Sequence, residues 1–492
     1  MTDQIPRGAR DDILSPLPPS QQSLDRSEKT TNDEEQIPPA TRPVDVPPDG
    51  GYGWVCCACT FTINAHTWGL NSSYGVFLAH YLSTSTFPGA TPLDFAFVGG
   101  LSISQALFVS PLATILTRIY GTRTTLLVGV FLETLSLIGA SFATRIWHLF
   151  LSQGVCFGWG MGFLFVGSVG IVPQWFSARR SFANGISAAG SGLGGLVYSL
   201  ATNAMIERIG LAWAFRILGI VAFVVNLVCA LLVRDRNKLV GSSQRGFDYR
   251  LFRRGEFLLL LGFGFLSMLG YIVLLFSLPN YADSVGLTAQ QGSVVGAILN
   301  LGQMLGRPPI GYYSDTLGRI NMAVVMTLLS GLFSLFIWTF ATGYGVLIFF
   351  ALIGGTVAGT FWAVAAPVTT EVVGLVELPS ALSIVWIVLV LPTTFSEAMA
   401  LEMVKGAGGK YLGAQLFTGF TYVGAAALLW LVRAWKIGQM EEEAAAAAIE
   451  KGPERHESTM TVPLDDAVDA PRVRVHVGKS SLVKRLFWIG KV

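Results

Sequence analysis

Asn300, Gln303 and Arg307 lie in an otherwise apolar stretch at i, i+3 and i+7, which puts them on one face of a helix. A charge inside a membrane segment is costly, so it turns toward a cavity or a partner. A guanidinium offers a planar fork of donors suited to the carboxylate of an organic anion. Gln303 and Asn300 would orient that anion. The competing reading is an arginine whose head only reaches back to the membrane surface. A second stripe, Asn64, Trp68 and Asn71, has the spacing i, i+4 and i+7, with His66 just outside it. These are candidate substrate contacts or, alternatively, polar packing groups. Trp362 and Trp386 could stack on a ring-bearing substrate or simply pack between helices. Glu133, also inside an apolar run, is a candidate proton carrier.

Such residues need long apolar elements to hold them, and composition supplies these. The chain has 492 residues, 52% hydrophobic and 13% charged, against roughly 25% charged in soluble proteins. The lipid bilayer is therefore its first expected partner. A net charge of +2 gives no reason to expect nucleic acid. Cys56, Cys57, Cys59, Cys156 and Cys229 all fall in apolar stretches, without a second Cys or His pair at metal spacing. Residues 190–195 spell G-x-G-x-x-G within an apolar helix rather than after a strand, so they are not a nucleotide fingerprint. Gly478-Lys479-Ser480 lacks the first glycine of a phosphate loop, which Val473 replaces. No cofactor and no metal are expected. With no nucleophile-base pair in view, neither is an enzyme. The polar, Pro-rich start has no apolar core of a cleavable signal peptide.

A membrane helix needs about 20 apolar residues. Twelve segments qualify: 51–77, 95–117, 124–144, 147–172, 182–206, 211–233, 257–281, 289–312, 321–341, 344–367, 380–403 and 410–433. The expected fold is an all-α membrane protein of twelve transmembrane helices in two six-helix halves. Residues 1–50 read as a disordered cytoplasmic tail, 51–233 as the N-terminal half and 234–256 as a cytoplasmic basic loop. Residues 257–433 form the C-terminal half and 434–492 a cytoplasmic tail, whose Glu-Glu-Glu-Ala run should be helical and whose end, SSLVKRLFWIGKV, suits a membrane surface. Arg118, Arg123, Arg179, Arg180, Arg307, Arg319 and seven Lys and Arg of the basic loop fall on one side. Only Arg145, Arg208, Lys405 and Lys410 fall on the other. That asymmetry places both termini in the cytoplasm, although the loop 368–379 on the same side has no positive charge.

A repeat supports two halves. SPLATILTRIYGTR (110–123) and RPPIGYYSDTLGR (307–319) each place a proline, Pro111 or Pro308, ten residues before a glycine, Gly121 or Gly318. Gly311, Asp315, Gly318 and Arg319 fit G-x3-D-x2-G-R, which resembles the gating motif of the major facilitator superfamily. The first copy has Arg118 in place of the aspartate. Asp49, Gly50, Gly51, Tyr52, Gly53 and Trp54 resemble the opening signature of the monocarboxylate porter family. Asp49 would cap the first helix, with Tyr52 and Trp54 at the interface. WFSARRSFANGISAAGSGLGG (175–195), with Arg179, Arg180 and Gly185, is similar to a second mark of that family. NSSYGVF and the long N-terminal tail look most like its fungal branch.

The resemblance covers about residues 47–433. It implies alternating access of two halves about a midplane site. In that family the eighth span carries an Asp four residues before Arg-Pro, and the first span a Lys. Here Gln303 stands for the Asp, and Ser72 or Asn71 for the Lys. These departures favour secondary active efflux of a small organic acid or secondary metabolite, with a small-molecule organic anion as cargo. The alternative is proton-coupled uptake of a monocarboxylate or similar nutrient, with protons as coupling ion. A non-transporting membrane sensor is the alternative of another class. The expected location is the cell membrane, as a multi-pass protein, with a vacuolar membrane as the alternative.

Overall fold

A computed structural model describes residues 47–84, 87–450 and, near the C-terminus, 485, 486, 488, 490 and 492. The expected N-terminal tail up to residue 46 and residues 451–484 lie outside the described residues. The rest is a bundle of helices that makes twelve crossings, with no strand among the described residues. Among the described residues seven helices are long and apolar enough to cross a membrane, and an eighth crossing is the pair Phe97–Phe108 and Ser110–Tyr120, bent by 41°. One of the seven, Tyr344–Gly406, contains two crossings, because Gly374 (φ 81°) turns the chain inside helix Thr360–Gly406.

Of the remaining three crossings, spans 5 and 8 fall short on hydropathy because they are rich in glycine and polar groups, and span 1 because its helix is broken into short pieces. Span 1 is broken into Gly53–His66, Trp68–Ser72 and Tyr74–Thr84. Span 5 is Arg180–Ile209 and span 8 is Ala289–Leu317. The other spans are 2 (Pro92–Phe108 with Ser110–Tyr120), 3 (Thr122–Ala140), 4 (Ile146–Trp175, with a π-helical stretch at Phe150–Cys156) and 6 (Leu211–Leu232). They continue with 7 (Gly255–Ser284), 9 (Arg319–Phe336), 10 (Tyr344–Ala358 and 360–373), 11 (375–406) and 12 (Leu412–Glu450).

Local chemistry sets the ends. Spans 2 and 8 both open with a threonine capping box, Thr91 with Asp94 and Thr288 with Gln291, which satisfies the first free N–H groups. Both are followed by a glycine at positive φ, Gly121 (86°) and Gly318 (106°), which lets the chain reverse tightly into spans 3 and 9. This matched geometry is the structural content of the sequence repeat. Span 12 runs on to Glu450, about five turns past the end that hydropathy marks.

Spans 3, 6, 9 and 12 carry large exposed apolar side chains such as Phe131, Val224, Val325 and Phe420, the faces that lipid would cover. Spans 5 and 8 form the most extensive contact between the halves. They approach so closely that a Cβ on Gly185 would run into the carbonyl of Arg307, and one on Gly311 into that of Ser181. Span 1 covers the opposite face of span 5, where Gly190 lies against the carbonyl of Phe61. The glycine-rich run is thus a packing surface.

Gly185→Val should therefore cost about 1–3 kcal/mol by overpacking. In detergent its thermal unfolding midpoint is expected to fall, whereas Gly100→Ala, where an added Cβ meets nothing within 4 Å, leaves the midpoint unchanged or slightly raised.

Candidate functional site

Arg307 and Gln303 follow one another by one helical turn on span 8 and are both 2% exposed. Arg307 Nη1 donates to the carbonyl of Ala188 (2.6 Å) and to the Ser191 hydroxyl on span 5. Arg307 Nη2 donates to Gln303 Oε1 (2.6 Å), which also accepts from the Tyr271 hydroxyl on span 7 (2.8 Å). The guanidinium lies close against the start of the second part of span 10, where a Cβ at Gly359 would stand 2.9 Å from Nε. That Nε is buried and has no hydrogen-bond partner. Among the described ion pairs none involves Arg307. A full positive charge is thus buried between the halves with only neutral acceptors around it, a costly arrangement that favours a negative ligand.

Beside it is a cluster of rings drawn from spans 1, 4, 7, 10 and 11. Trp68 (span 1) meets Phe165 (span 4) at 5.3 Å and Trp362 (span 10) at 4.9 Å between centroids. Tyr271 meets Trp362 at 6.3 Å. Trp362 and Trp386 stack at 5.9 Å with 15° between planes, and Phe165 meets Trp386 at 5.0 Å. The indole N–H groups of Trp68 and Trp386 are buried without partners. Three buried N–H donors without partners and a set of ring contacts therefore lie on spans drawn from both halves. Such a lining can hold a planar anion by donor bonds at one end and ring contact along its body.

The structure gathers Arg307, Gln303, Trp68, Trp362 and Trp386, but places the other candidates elsewhere. Asn300 lies against span 5, near Gly192 and Gly195. Asn64 donates to the carbonyl of Ser187 (3.1 Å), and Asn71 accepts from Ser102 (2.8 Å). The chain breaks at Thr67 (φ −107°, ψ −82°), so the stripe of Asn64, Trp68 and Asn71 does not stay on one helix face. Glu133 is buried between spans 3 and 6, where it accepts from Asn226 Nδ2 (2.7 Å) and is not joined to Arg307.

A second polar centre lies at the basic end of the bundle, where the Arg-rich loops collect. Asp315 accepts from the backbone N–H of Ser181 (3.0 Å) and Phe182 (2.9 Å) at the start of span 5, and from Arg319 Nε (3.1 Å). Arg319 also donates to Glu371 and to the carbonyl of Ser177. Arg180 joins through Glu371 at 3.9 Å, while Arg179 is exposed. A carboxylate on a helix N-terminus gains from both hydrogen bonds and helix dipole, about 1–3 kcal/mol in all. Here it ties span 8 of one half to span 5 of the other.

Asp49 does not cap its own helix. The first helix begins after Tyr52 without a side-chain cap. Asp49 Oδ1 instead accepts from the N–H groups of Ser177 (2.6 Å) and Ala178 (2.8 Å), in the turn before span 5. The positive φ of Asp49 (54°) and of Gly51 (60°) turns the segment toward them. Gly53 lets it approach, since a Cβ there would stand 2.9 Å from that of Trp175. Tyr52 donates to the carbonyl of Leu232 (2.7 Å) and Trp54 packs on Phe176 at 4.8 Å. The stretch around Gly50 is thus a fastener for the basic end of the N-terminal half. The sequence reading also missed Glu371, Tyr271, Phe165 and Ser191. Glu371 had one signal, being an acid in the loop of that end that lacks positive charge. Phe165, one of 32 phenylalanines, had none.

Comparison with known proteins agrees with this architecture. The family model of the Major Facilitator Superfamily matches residues 56–264 and 260–488. The probable transporter MCH2 of Saccharomyces cerevisiae is 34% identical over 401 residues, covering 80% of this chain and 85% of its own. The fujikurins efflux protein of Gibberella fujikuroi is 27% identical over 394 residues, covering 78% and 83%. The structure of the Escherichia coli fucose:proton symporter superposes with a TM-score of 0.61 at 14% identity, over 78% of this chain and 99% of that one. Twelve crossings in paired halves, a helix-capping Asp315 between them and a model match over most of the chain lead to one assignment: this protein belongs to the major facilitator superfamily of multi-pass membrane transporters.

Proposed function

We propose that the protein is a secondary active transporter that exports a small organic anion, of the acidic secondary-metabolite kind, by alternating access of its two halves. The observation that carries this reading is the buried Arg307, which has an unpaired Nε and no described carboxylate beside it. The incoming anion supplies the missing charge. Gln303 takes the place of an acid and fixes the guanidinium through its oxygen, leaving the positive charge for the ligand. Trp68, Trp362 and Trp386 cover the ligand body. Asn300, Asn64 and Asn71 contribute as supports of spans 1, 5 and 8 around the site. The Lys and Arg collected at one end support a cytoplasmic basic end in the cell membrane. In the described conformation that end is tied shut by Gly311–Arg319 of span 8 and its turn, with Asp315 as the clasp. Export is supported by a relative that carries the name of an efflux protein and by the neutral Gln303.

A second reading, proton-coupled uptake of a monocarboxylate, is favoured by two carboxyls in the spans, Glu133 on Asn226 and Glu397 on Ser277 (3.0 Å). It makes transport depend on the pH gradient and predicts that Glu133→Gln or Glu397→Gln removes that dependence. Gradient-independent labelled uptake, or its absence, would sink it.

Paired metabolite profiling of cells and medium, with and without the gene, tests export. One acidic compound should build up inside and fall outside in the deletion; an unchanged secreted profile would refute this reading. Arg307→Gln should weaken binding of that compound about 10- to 100-fold in ligand-induced thermal stabilisation. Arg307→Lys should fail to restore it, because a lysine lacks the planar fork. Asp315→Asn keeps the acceptor oxygen but loses the charge. It should slow net transport several-fold while leaving equilibrium binding of the same compound within about a factor of two.

A further inference from the structure

The carboxylate latch lies on one side of the basic end only. Arg118 occupies the first-half position equivalent to Asp315, and it takes part in none of the described ion pairs. On that side, where span 2 meets span 11, a length of the loop between the halves fills the seam. Ser243 N donates to the carbonyl of Val376 (2.6 Å) and Arg245 N to Ser380 Oγ (3.0 Å). Ser380 Oγ donates back to the carbonyl of Ser243 (2.6 Å), and Ser383 Oγ to that of Gly246 (2.6 Å). The carbonyl of Ser383 in turn accepts from Ser110 Oγ on span 2 (3.0 Å). Ser110, Ser380 and Ser383 are all buried. Gly246 is wedged against span 2, where a Cβ would stand 2.7 Å from the carbonyl of Pro111 and 2.8 Å from the Ile115 side chain.

The same strap is pinned to the N-terminal half. Asn237 Oδ1 accepts from Gln174 (2.8 Å) and from Gln244 (2.9 Å), and Asn237 Nδ2 donates to Thr122 (3.2 Å). Asn237 and Gln244 border a cavity of ≈ 30 Å³ that also touches Thr114 and Trp386. Trp386 belongs to the central ring cluster as well, so this cavity lies between the central site and the strap.

We propose that residues 242–246 are the second latch of the basic end. On the span 2 and span 11 side they do by backbone and serine hydrogen bonds what Asp315 does by charge on the other. Opening of the basic end requires Ser380 and Ser383 to release the strap. This rests on the alternating-access reading above.

The test uses the full chain with Thr114→Cys, a buried position on the cavity wall, purified into nanodiscs and labelled with a charged, membrane-impermeant maleimide. The rate is read over that of the parent chain, which carries the native cysteines. Ser380→Ala with Ser383→Ala should raise labelling of Cys at 114 about tenfold, as expected for removing the three serine hydrogen bonds that hold the strap in the closed state. Gly246→Val should raise it too, by keeping the strap off span 2. Size-exclusion profiles confirm folding, and the alanine pair introduces no clash. Unchanged labelling in both strap variants, while Asp315→Asn raises it, overturns the strap and leaves the carboxylate as sole latch. Unchanged labelling in all three overturns the strap together with the alternating closure on which it rests.

Discussion

One arginine that has no acid to answer it organises the middle of this molecule. Burying a guanidinium is tolerable only if its donors are met, and Arg307 meets most of them with a carbonyl, a hydroxyl and an amide oxygen drawn from spans 5 and 8. To reach them, the two spans must lie almost backbone to backbone, which is why side chains are absent at Gly185 and Gly311. The same closeness brings Asp315 within reach of the N–H groups of Ser181 and Phe182. The charge at the centre and the clasp at the basic end are therefore two consequences of one helix crossing.

Two kinds of contact hold the halves together, and they differ in how they break. The ring cluster is apolar and non-directional, so Trp68 and Trp362 can slide or part gradually. The hydrogen-bonded contacts of Asp315, Arg319 and Glu371 depend on angle and distance and let go over a short movement. A soft centre with a sharply breaking rim suits a carrier that must adapt to a ligand and yet occupy few end states.

Most of the architecture could be read from hydropathy, because lipid-facing helices such as span 6 and span 9 must be apolar almost throughout. The repeat around Gly121 and Gly318 was legible because positive φ demands glycine at both places. Arg307 with Gln303 was legible because charge in an apolar run is rare. Asn64 and Asn71 were read as substrate contacts or polar packing groups; the structure gives them protein partners at Ser187 and Ser102, and nothing in the residues around Thr67 announces the break that interrupts their stripe. Asp49 was assigned to its own helix because local capping is the commoner use of an acid at such a place. Its true partners, Ser177 and Ala178, lie more than a hundred residues away and only tertiary structure reveals them. Glu371 explains the loop that lacked positive charge: it draws Arg180 and Arg319 in from other loops, so its own loop needs none.

The turn before span 5 and the start of that span are held by two carboxylates of different allegiance. Asp49 comes from the same half and Asp315 from the other. If the halves separate as proposed, Asp315 must leave, yet the turn keeps its first acid. The exposed helix end is then never without a negative neighbour, so the parting of the halves does not strand the positive pole of span 5 in the widening crevice. In the proposed cycle, a permanent joint beside a releasable one would keep the same helix end in shape to receive Asp315 each time it returns.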